Sequence, residues 1–266
     1  MDNIELERRL IELDFRPEVN NDHSNSALIE AVDGLLNNGR VSVRSYWSQA
    51  RRVLAAKQLV CRIDQIEVGS IDGLYGPQTA FAFEVYAASL AGLGPVVVDQ
   101  RDDAGAGPGG PSIHWPRQRE VESFYGTKGV NQVRLHLPYT MQLAWDLRRP
   151  INSFFVHEKV HDSALRCFER IADAYDAEQR TQIGIDLFGG CLNVRRMRGG
   201  SAWSMHSWGI AIDFDPTRNP LRSTRASARL AQPDCERFWR IWEDEGWLSL
   251  GRARDFDWMH VQAATL

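Results

Sequence analysis

The sequence predicts an α+β protein of two domains, and three observations lead to this expectation. Residues 1–98 carry apolar side chains at helical spacing, which predicts a helical domain. Residues 99–115 are rich in glycine and proline, a composition that forms no packed core and is typical of a flexible linker. Residues 116–266 combine helical stripes with short alternating stretches, which predicts helices and a small antiparallel sheet.

The composition is that of an ordinary water-soluble globular protein. The chain has 266 residues, 43% hydrophobic and 25% charged, which is enough for a sizeable core. The net charge of −4 provides no electrostatic footprint for nucleic acid, so no nucleic-acid partner is expected. No apolar run is long enough to span a bilayer, and the acidic N-terminus does not resemble a secretory signal. We therefore expect a protein that is made in the cytoplasm and does not insert into membranes.

Four helices are expected in the N-terminal domain. Apolar spacing predicts the first two over residues 4–13 and 26–36, and two more on either side of a loop at 71–79. The loop has the sequence Ile-Asp-Gly-Leu-Tyr-Gly-Pro-Gln-Thr. Its glycines permit positive φ, Pro77 suits the first turn of a helix, and Asp72 can cap neighbouring amides. By itself the loop is therefore explained as a turn between two helices.

The C-terminal domain is expected to alternate between strands and helices. Residues 133–137 and 143–147 are candidate strands, and residues 152–175 are predicted to form one long helix. The apolar stripe of this helix consists of Val160, Ala164, Cys167, Phe168, Ile171 and Tyr175. A further helix at 235–245 is rich in aromatic residues, and its tryptophans are expected to belong to the core.

The most informative stretch is SAWSMHSWGIAIDFDP, at residues 201–216. After Gly209 the residues alternate as in a half-buried strand, which places Asp213 on the opposite face from the neighbouring apolar side chains. The apolar face is expected to consist of Ile210, Ile212 and Phe214. An imidazole from His206 and a carboxylate from Asp213 are two ligand types of a zinc site, and a catalytic zinc takes a third protein ligand. His260, near the C-terminus, is the candidate for that ligand.

Two motifs in this region resemble those of the zinc D-Ala-D-Ala carboxypeptidase family of the VanY type. That family includes the L-alanyl-D-glutamate peptidases of phage endolysins. The fixed positions of its motif S-x-H-x-x-G-x-A-x-D are matched by Ser204, His206, Gly209, Ala211 and Asp213. Its second motif, Asp/Glu-x-x-His, is matched by Asp257 and His260. The resemblance implies zinc as the cofactor, with His206, Asp213 and His260 as its ligands and Asp257 as the catalytic base.

The resemblance also implies residues that contact the substrate. Arg195, followed by Arg198, is the candidate for stabilising the oxyanion, and Ser204 for contacting the ligands or the substrate. The loop at 71–79 resembles that of the three-helix peptidoglycan-binding domain of many cell-wall hydrolases. The implied wall-binding residues are Asp72, Gly73, Tyr75 and Gly76. The connection before the loop, residues 61–70, is longer than in that domain.

A second zinc-like string competes with this interpretation. His157, Glu158 and His161 fit the pattern H-E-x-x-H, in which two histidines share a helical face and the glutamate is a base. Glu169 or Glu178 would then complete the site. A pair of structural histidines on a plain helix explains this short pattern better, because the zincin alternative leaves the longer motif without a role.

Two smaller expectations concern the cysteines and the second motif. The four cysteines form no C-x-x-C pair and are expected to be buried thiols, so Cys191 is not favoured as a nucleophile. Asp257 and His260 are three residues apart and would lie on opposite faces of a regular strand. A bend between them is therefore predicted.

Together the two resemblances imply a two-domain, zinc-dependent peptidoglycan peptidase of the endolysin type. Its partner is expected to be the stem peptide and glycan of bacterial peptidoglycan, and the protein is expected to be a monomer that reaches the wall after release from the cell. The cut is expected at L-Ala-D-Glu, with the D-Ala terminus as the alternative. A non-catalytic wall-binding or virion structural protein is the alternative from another class.

Overall fold

A computed structural model describes residues 1–15, 26–92, 115–197 and 201–266 of the chain. The fold divides into two compact units, Met1–Val97 and Val98–Leu266. Apart from Trp115, the predicted linker at 99–115 lies outside the described residues. No helix in the described ranges combines the length and apolar character needed to cross a bilayer.

The first unit consists of helices, as the apolar spacing predicts. Their bounds are α1 Asn3–Glu12, α2 Ser26–Asn38, α3 Gln49–Ile63 and α4 Pro77–Leu90. The side chains of Asp2 and Ser48 cap α1 and α3, because each accepts a hydrogen bond from an otherwise unpaired backbone amide in the first turn. Pro77 occupies the first turn of α4, where its missing N–H costs nothing. The core of this unit includes Leu6, Leu10, Val32, Leu35, Leu36, Ala55, Val60 and Ala82.

The second unit is built from a sheet with helices packed against it. Its helices are α5 Val121–Tyr125, α6 His161–Ala174, α7 Ala177–Ile183, α8 Glu236–Asp244 and α9 Leu250–Arg254. Its strands are β1 Gln132–Leu143, β2 Asp146–His157, β3 Leu187–Gly190, β4 Ala211–Phe214, β5 Leu248–Ser249 and β6 His260–Gln262. The α+β class is therefore confirmed.

The sheet is larger than expected and mixed. Its six strands lie in the order β2-β1-β3-β4-β6-β5. The pair β1–β3 is parallel, and the long connection that a parallel pair needs includes β2, α6 and α7. The other pairs are antiparallel. Strand β4 lies between β3 and β6, and all four of its residues are buried, including Asp213.

The prediction of one long helix at 152–175 is wrong for its first nine residues. Strand β2 continues to His157, a 3-10 turn spans Glu158–Val160, and α6 begins only at His161. Phe154 and Val156 are buried while Phe155 is exposed, which is the two-residue period of a strand. The helical stripe is real but starts later. It contributes Ala164, Cys167, Phe168 and Ile171 to the core.

The helices α6 and α8 bring an aromatic cluster together around β4. Phe168 meets Trp242 edge to face at 5.4 Å between ring centroids, and Phe214 meets Phe238 at 5.1 Å. The tryptophans of α8 are buried, as expected from the sequence. The aromatic cluster thus covers the apolar side of β4 and leaves Asp213 on the other side of the strand.

Candidate metal centre

The centre forms where β4 and β6 pair beside a short 3-10 turn, Met205–Trp208. Asp213 on β4 lies directly opposite His260 on β6. His206 belongs to the 3-10 turn, which ends at Gly209 in the left-handed region, with φ 67°. The left-handed backbone favours glycine at position 209, and a Cβ there would also displace the end of the Gln132 side chain. This glycine lets the chain turn directly from His206 into the strand that carries Asp213.

His206, Asp213 and His260 form a group of three potential metal ligands. Their ligand atoms all lie within 4.8 Å of one another, and all three side chains are buried. His206 Nε2 is 3.2 Å from Asp213 Oδ2, and His260 Nδ1 is 3.0 Å from Asp213 Oδ1. The two imidazoles and the carboxylate therefore converge on one point, as the sequence predicts for a three-ligand site.

In His206 and in His260, one ring nitrogen forms a hydrogen bond directed away from Asp213. That bond determines which nitrogen faces the other candidate ligands. Nδ1 of His206 lies 2.6 Å from the carbonyl oxygen of Cys191, which can only accept, so Nδ1 carries a proton and donates. Nε2 of His260 lies 3.1 Å from Oε1 of Gln262. The amide nitrogen of Gln262 donates to the carbonyl oxygen of Ala264 at 2.9 Å, which fixes the orientation of that amide. His206 therefore presents Nε2 to Asp213, whereas His260 presents Nδ1.

With both rings neutral, this arrangement sets the lone pairs of two imidazoles against the lone pairs of one carboxylate. Such contacts repel unless a proton or a metal cation lies between the atoms. Burial lowers the pKa of His206, although the Asp213 charge partly offsets that effect, so extra protonation of this ring is disfavoured. Burial would raise the pKa of Asp213, and only positive charge or N–H donation from the two imidazoles outweighs burial and holds the pKa well below its usual value. The donor set therefore fits a bound divalent cation.

Asp257 lies beside the three candidate ligands, on the turn that leads into β6. Its φ of 56° is left-handed, and its carbonyl oxygen accepts from the amide of His260 at 3.0 Å. Its own amide donates to the carbonyl oxygen of Leu221 at 3.0 Å. This turn is the predicted bend, and it lets Asp257 and His260 face the same cleft. The cleft is lined by Arg195, Ser204, His206, Asp213, Leu221, Asp257 and His260.

Arg195 and Ser204 both line the cleft, and they lie on two short segments that are joined by a backbone hydrogen bond. The amide of Ser204 donates to the carbonyl oxygen of Arg195 at 3.1 Å. The hydroxyl of Ser207 bonds both the amide and the carbonyl of Arg195, at 3.0 and 2.8 Å, and thereby holds the backbone of this arginine in place. Both Arg195 and Ser204 are buried. Arg198, the second candidate arginine, lies outside the described residues.

The competing H-E-x-x-H string does not form a shared helical face. His157 ends β2 and His161 begins α6, so the two residues belong to different elements. His157 donates from Nε2 to the carbonyl oxygen of Tyr125 at 2.9 Å and accepts at Nδ1 from the amide of Lys159. Burial lowers the pKa of His157, which keeps the ring neutral. His157 is therefore a structural residue whose two nitrogens are both satisfied, as favoured from the sequence, although the plain helix expected around it is wrong.

The cysteines are free and buried, as expected. Burial raises the pKa of the Cys191 thiol, so this group stays protonated and is a poor nucleophile. The backbone of Cys191 nevertheless serves the centre through its bond to His206. This carbonyl, Gln262 and the carbonyl of Leu221 are three contributors that the sequence motifs do not reveal.

In the first unit, the candidate wall-binding loop is organised around the buried side chain of Gln58. Its Oε1 accepts from the amides of Asp72 and Gly73 at 3.1 and 2.8 Å, and its amide donates to the carbonyl oxygen of Leu74 at 3.0 Å. Asp72 accepts from the amide of Leu74, as the sequence predicts for a capping residue. Gly73 has φ 65°, and a Cβ there would collide with the carbonyl oxygen of Arg51.

The loop presents one candidate residue to solvent. The side chain of Tyr75 is 52% exposed and lies 6.0 Å from Phe83 between ring centroids. Gly76 is the N-cap of α4, without a side chain to bond the helix. Asp72, Gly73 and Gly76 therefore have evident structural roles, and Tyr75 is the candidate with a side chain positioned to meet a ligand.

One comparison with known proteins returns a match. Residues 198–263 match a family model described as D-alanyl-D-alanine carboxypeptidase. This segment is about a quarter of the chain, and it contains His206, Asp213, Asp257 and His260. No curated protein and no solved structure matches the chain. The family match supports a peptidase that acts on peptidoglycan.

Proposed function

We propose that this chain is a zinc-dependent peptidoglycan peptidase. The observation that carries the proposal is the convergence of His206, Asp213 and His260, each turned by its surroundings so that a ligand atom faces the same point. Two nitrogens and one carboxylate oxygen from the protein are a common ligand set of catalytic zinc, which keeps a further position open. The family match over residues 198–263 agrees with this assignment.

Zinc bound by these residues would supply Lewis acidity, which polarises an amide carbonyl and makes water more acidic. Asp257 lines the same cleft without belonging to the ligand group, so its carboxylate is the base that takes a proton from attacking water. The same carboxyl group then returns the proton to the leaving amine. Arg195 brings a positive charge into the cleft, where it stabilises the oxyanion that forms during attack. Ser204, buried on the same wall, contributes a hydroxyl for orienting the substrate.

The bond we propose is L-Ala-D-Glu of the stem peptide, which would make the protein an endopeptidase of the endolysin type. The resemblance of the loop at 71–79 to that of a peptidoglycan-binding domain supports this choice, because a wall-binding module suits an enzyme that works on intact peptidoglycan. Hydrolysis at the D-Ala terminus is the second candidate, and the description of the matching family favours it. We further propose that the first unit binds the wall and that the enzyme reaches its substrate after release from the cell.

Digestion of purified peptidoglycan, followed by mass spectrometry of the products, tests the proposal. We expect a new free amino group on D-Glu if the bond is L-Ala-D-Glu, and release of free D-Ala if the enzyme is a carboxypeptidase. The Asp257→Asn variant is the negative control, and Asp255→Asn is matched to it because Asp255 lies on the same turn but is exposed. Unchanged stem peptides after incubation with the zinc-loaded wild type would refute the proposed activity. They would leave a non-catalytic wall-binding protein as the alternative.

A further inference from the structure

Gln262 is a buried polar residue that none of the sequence motifs includes. It is 0% exposed and lies two residues after His260 on β6, so the two side chains share one face of the strand. Its Oε1 lies 3.1 Å from His260 Nε2, and its amide nitrogen donates to the carbonyl oxygen of Ala264. The reversed amide would set Oε1 against the Ala264 carbonyl oxygen, an acceptor against an acceptor, so the observed orientation is fixed.

A neutral imidazole has one proton, and its position decides which nitrogen is able to bind a metal. In His260, two acceptors compete for that proton: Oε1 of Gln262 beside Nε2 and Oδ1 of Asp213 beside Nδ1. If the proton is on Nδ1, it bonds Asp213 and blocks the nitrogen that faces the other two candidate ligands. If it is on Nε2, it bonds Gln262 and leaves the lone pair of Nδ1 facing the centre.

We infer that Gln262 is a positioning residue that keeps the proton of His260 on Nε2 and so makes Nδ1 available to the metal. This inference rests on the proposed function, since it concerns the same metal centre. His206 and His260 differ in the group that accepts the proton on the nitrogen facing away from the metal centre. His206 is oriented by a backbone carbonyl, that of Cys191, whereas His260 depends on a side chain that a substitution can remove.

The decisive variant is Gln262→Met, which has a similar volume but no acceptor for the Nε2 proton. In the metal-free variant the proton is expected to move to Nδ1, where Asp213 accepts it. Zinc then has to displace this hydrogen bond, and we expect its affinity to fall about 10–100-fold, the usual cost of losing such an outer partner. Gln262→Glu keeps an acceptor for the Nε2 proton but loses the donor to the Ala264 carbonyl oxygen. It should therefore be less stable than the wild type and yet bind zinc at least as tightly.

Two measurements on the full-length chain test the inference. The first is zinc affinity by competition with a chelator, with Gln58→Met as the matched control, because Gln58 is an equally buried glutamine in the other unit. The second is nitrogen-15 NMR of the metal-free protein, which reports the protonated nitrogen of His260. We expect Nε2–H in the wild type and in Gln262→Glu, and Nδ1–H in Gln262→Met. A merely structural role for Gln262 would not move this proton.

The outcomes separate this inference from the proposed function. Zinc affinity of Gln262→Met equal to that of wild type, or Nε2–H in both proteins, overturns the role of Gln262. Failure of the wild type to bind zinc overturns the proposed metal centre, while the NMR comparison still tests Gln262. If Gln262→Met does not fold, Gln262→Glu decides: loss of zinc affinity or a proton on Nδ1 in that variant contradicts the inference.

Discussion

Each unit contains a buried glutamine beside a motif that resembles a functional site, yet the two surroundings differ. Both polar atoms of the Gln58 side chain have protein partners. Its oxygen accepts from two loop amides, and its amide donates to the carbonyl oxygen of Leu74 and to the hydroxyl of Thr79. Around Gln262 the chain of bonds leads to His260 and then to Asp213, where acceptor meets acceptor. The first network is complete without a ligand, whereas the second has the geometry and the acceptors to bind a cation.

A buried polar cluster is interpreted by whether its donors and acceptors are all paired within the protein. Buried polar groups are normally paired, so a closed network explains its own residues and says nothing about binding. A buried cluster with more hydrogen-bond acceptors than donors is unfavourable, because the acceptors repel one another. The cluster becomes stable where a ligand supplies positive charge. The loop at Asp72 and Gly73 is therefore explained by the fold, while the arrangement of His206, Asp213 and His260 fits a bound cation.

The largest expected effect comes from removing the proposed base while leaving the ligands in place. Asp257→Asn preserves size and most hydrogen bonding, so we expect it to fold and to keep zinc. Turnover should fall by about 10²–10⁴-fold, the usual contribution of a positioned general base. Single-turnover kinetics on soluble muropeptides, alongside zinc analysis, measure both quantities. Loss of zinc in this variant would mean that Asp257 is itself a ligand.

The second prediction concerns His157, which contrasts with the histidines of the metal centre because both its nitrogens are satisfied. His157→Ala leaves the Tyr125 carbonyl and the Lys159 amide without their partner, so we expect a loss of about 1–3 kcal/mol in the free energy of unfolding. Zinc affinity should not change. Denaturant unfolding and chelator competition provide the two readouts, and loss of zinc here would transfer the site to the competing string.

His157 is also expected to make the free energy of unfolding depend on pH. Burial lowers the pKa of His157 in the folded protein, so the unfolded chain takes up its proton more readily. The contribution of neutral His157 is complete above the unfolded pKa, near 6.5, and is lost as the pH falls below that value. The difference in unfolding free energy between wild type and His157→Ala should therefore shrink from pH 7.5 to pH 5. Equal differences at both pH values would contradict this account.

A smaller effect is expected from opening the closed network at Gly73. Gly73→Ala places a side chain at φ 65°, where the left-handed backbone costs about 1–2 kcal/mol, and adds a collision with the Arg51 carbonyl. We expect a lower melting temperature for the first unit, with zinc content and muropeptide turnover unchanged. Gly92→Ala is the matched control, because φ there is 66° and no atom of the described residues lies within 4 Å of its added Cβ. Reduced zinc content in Gly73→Ala would show that the two networks are not independent.

The smallest effect on stability is expected at Tyr75, the exposed residue of the loop. Tyr75→Ala should change the free energy of unfolding by no more than about 0.5 kcal/mol, as is usual for surface substitutions. Binding to purified cell walls should nevertheless weaken if the loop contacts peptidoglycan. Co-sedimentation with sacculi measures it, with Tyr46→Ala as the control for an exposed tyrosine elsewhere on the unit. Unchanged sedimentation would leave the loop as a turn between helices.

The sequence predicts which three side chains come together at the candidate centre, because the short motifs around Gly209 and Asp257 depend on local backbone geometry. It does not predict the partners of the rings. Gln262 becomes recognisable only when its side chain and that of His260 are placed on one strand face, and the contribution of Cys191 is a carbonyl that any residue would provide. The helix error at 152–160 has a similar origin, since an apolar run beside a strong helical stripe looks helical until the strand pairing is known.

The central claim is that His206, Asp213 and His260 bind one zinc ion, and metal analysis of the purified full-length chain tests it most directly. We expect about one zinc per chain in the wild type, and loss of that zinc in His206→Ala, Asp213→Ala and His260→Ala, each of which removes one of the three ligands. His136→Ala, which removes an exposed histidine from β1, should keep the metal. A wild-type chain without zinc after incubation with the metal, or full zinc content in the His206→Ala and His260→Ala variants, would contradict the claim.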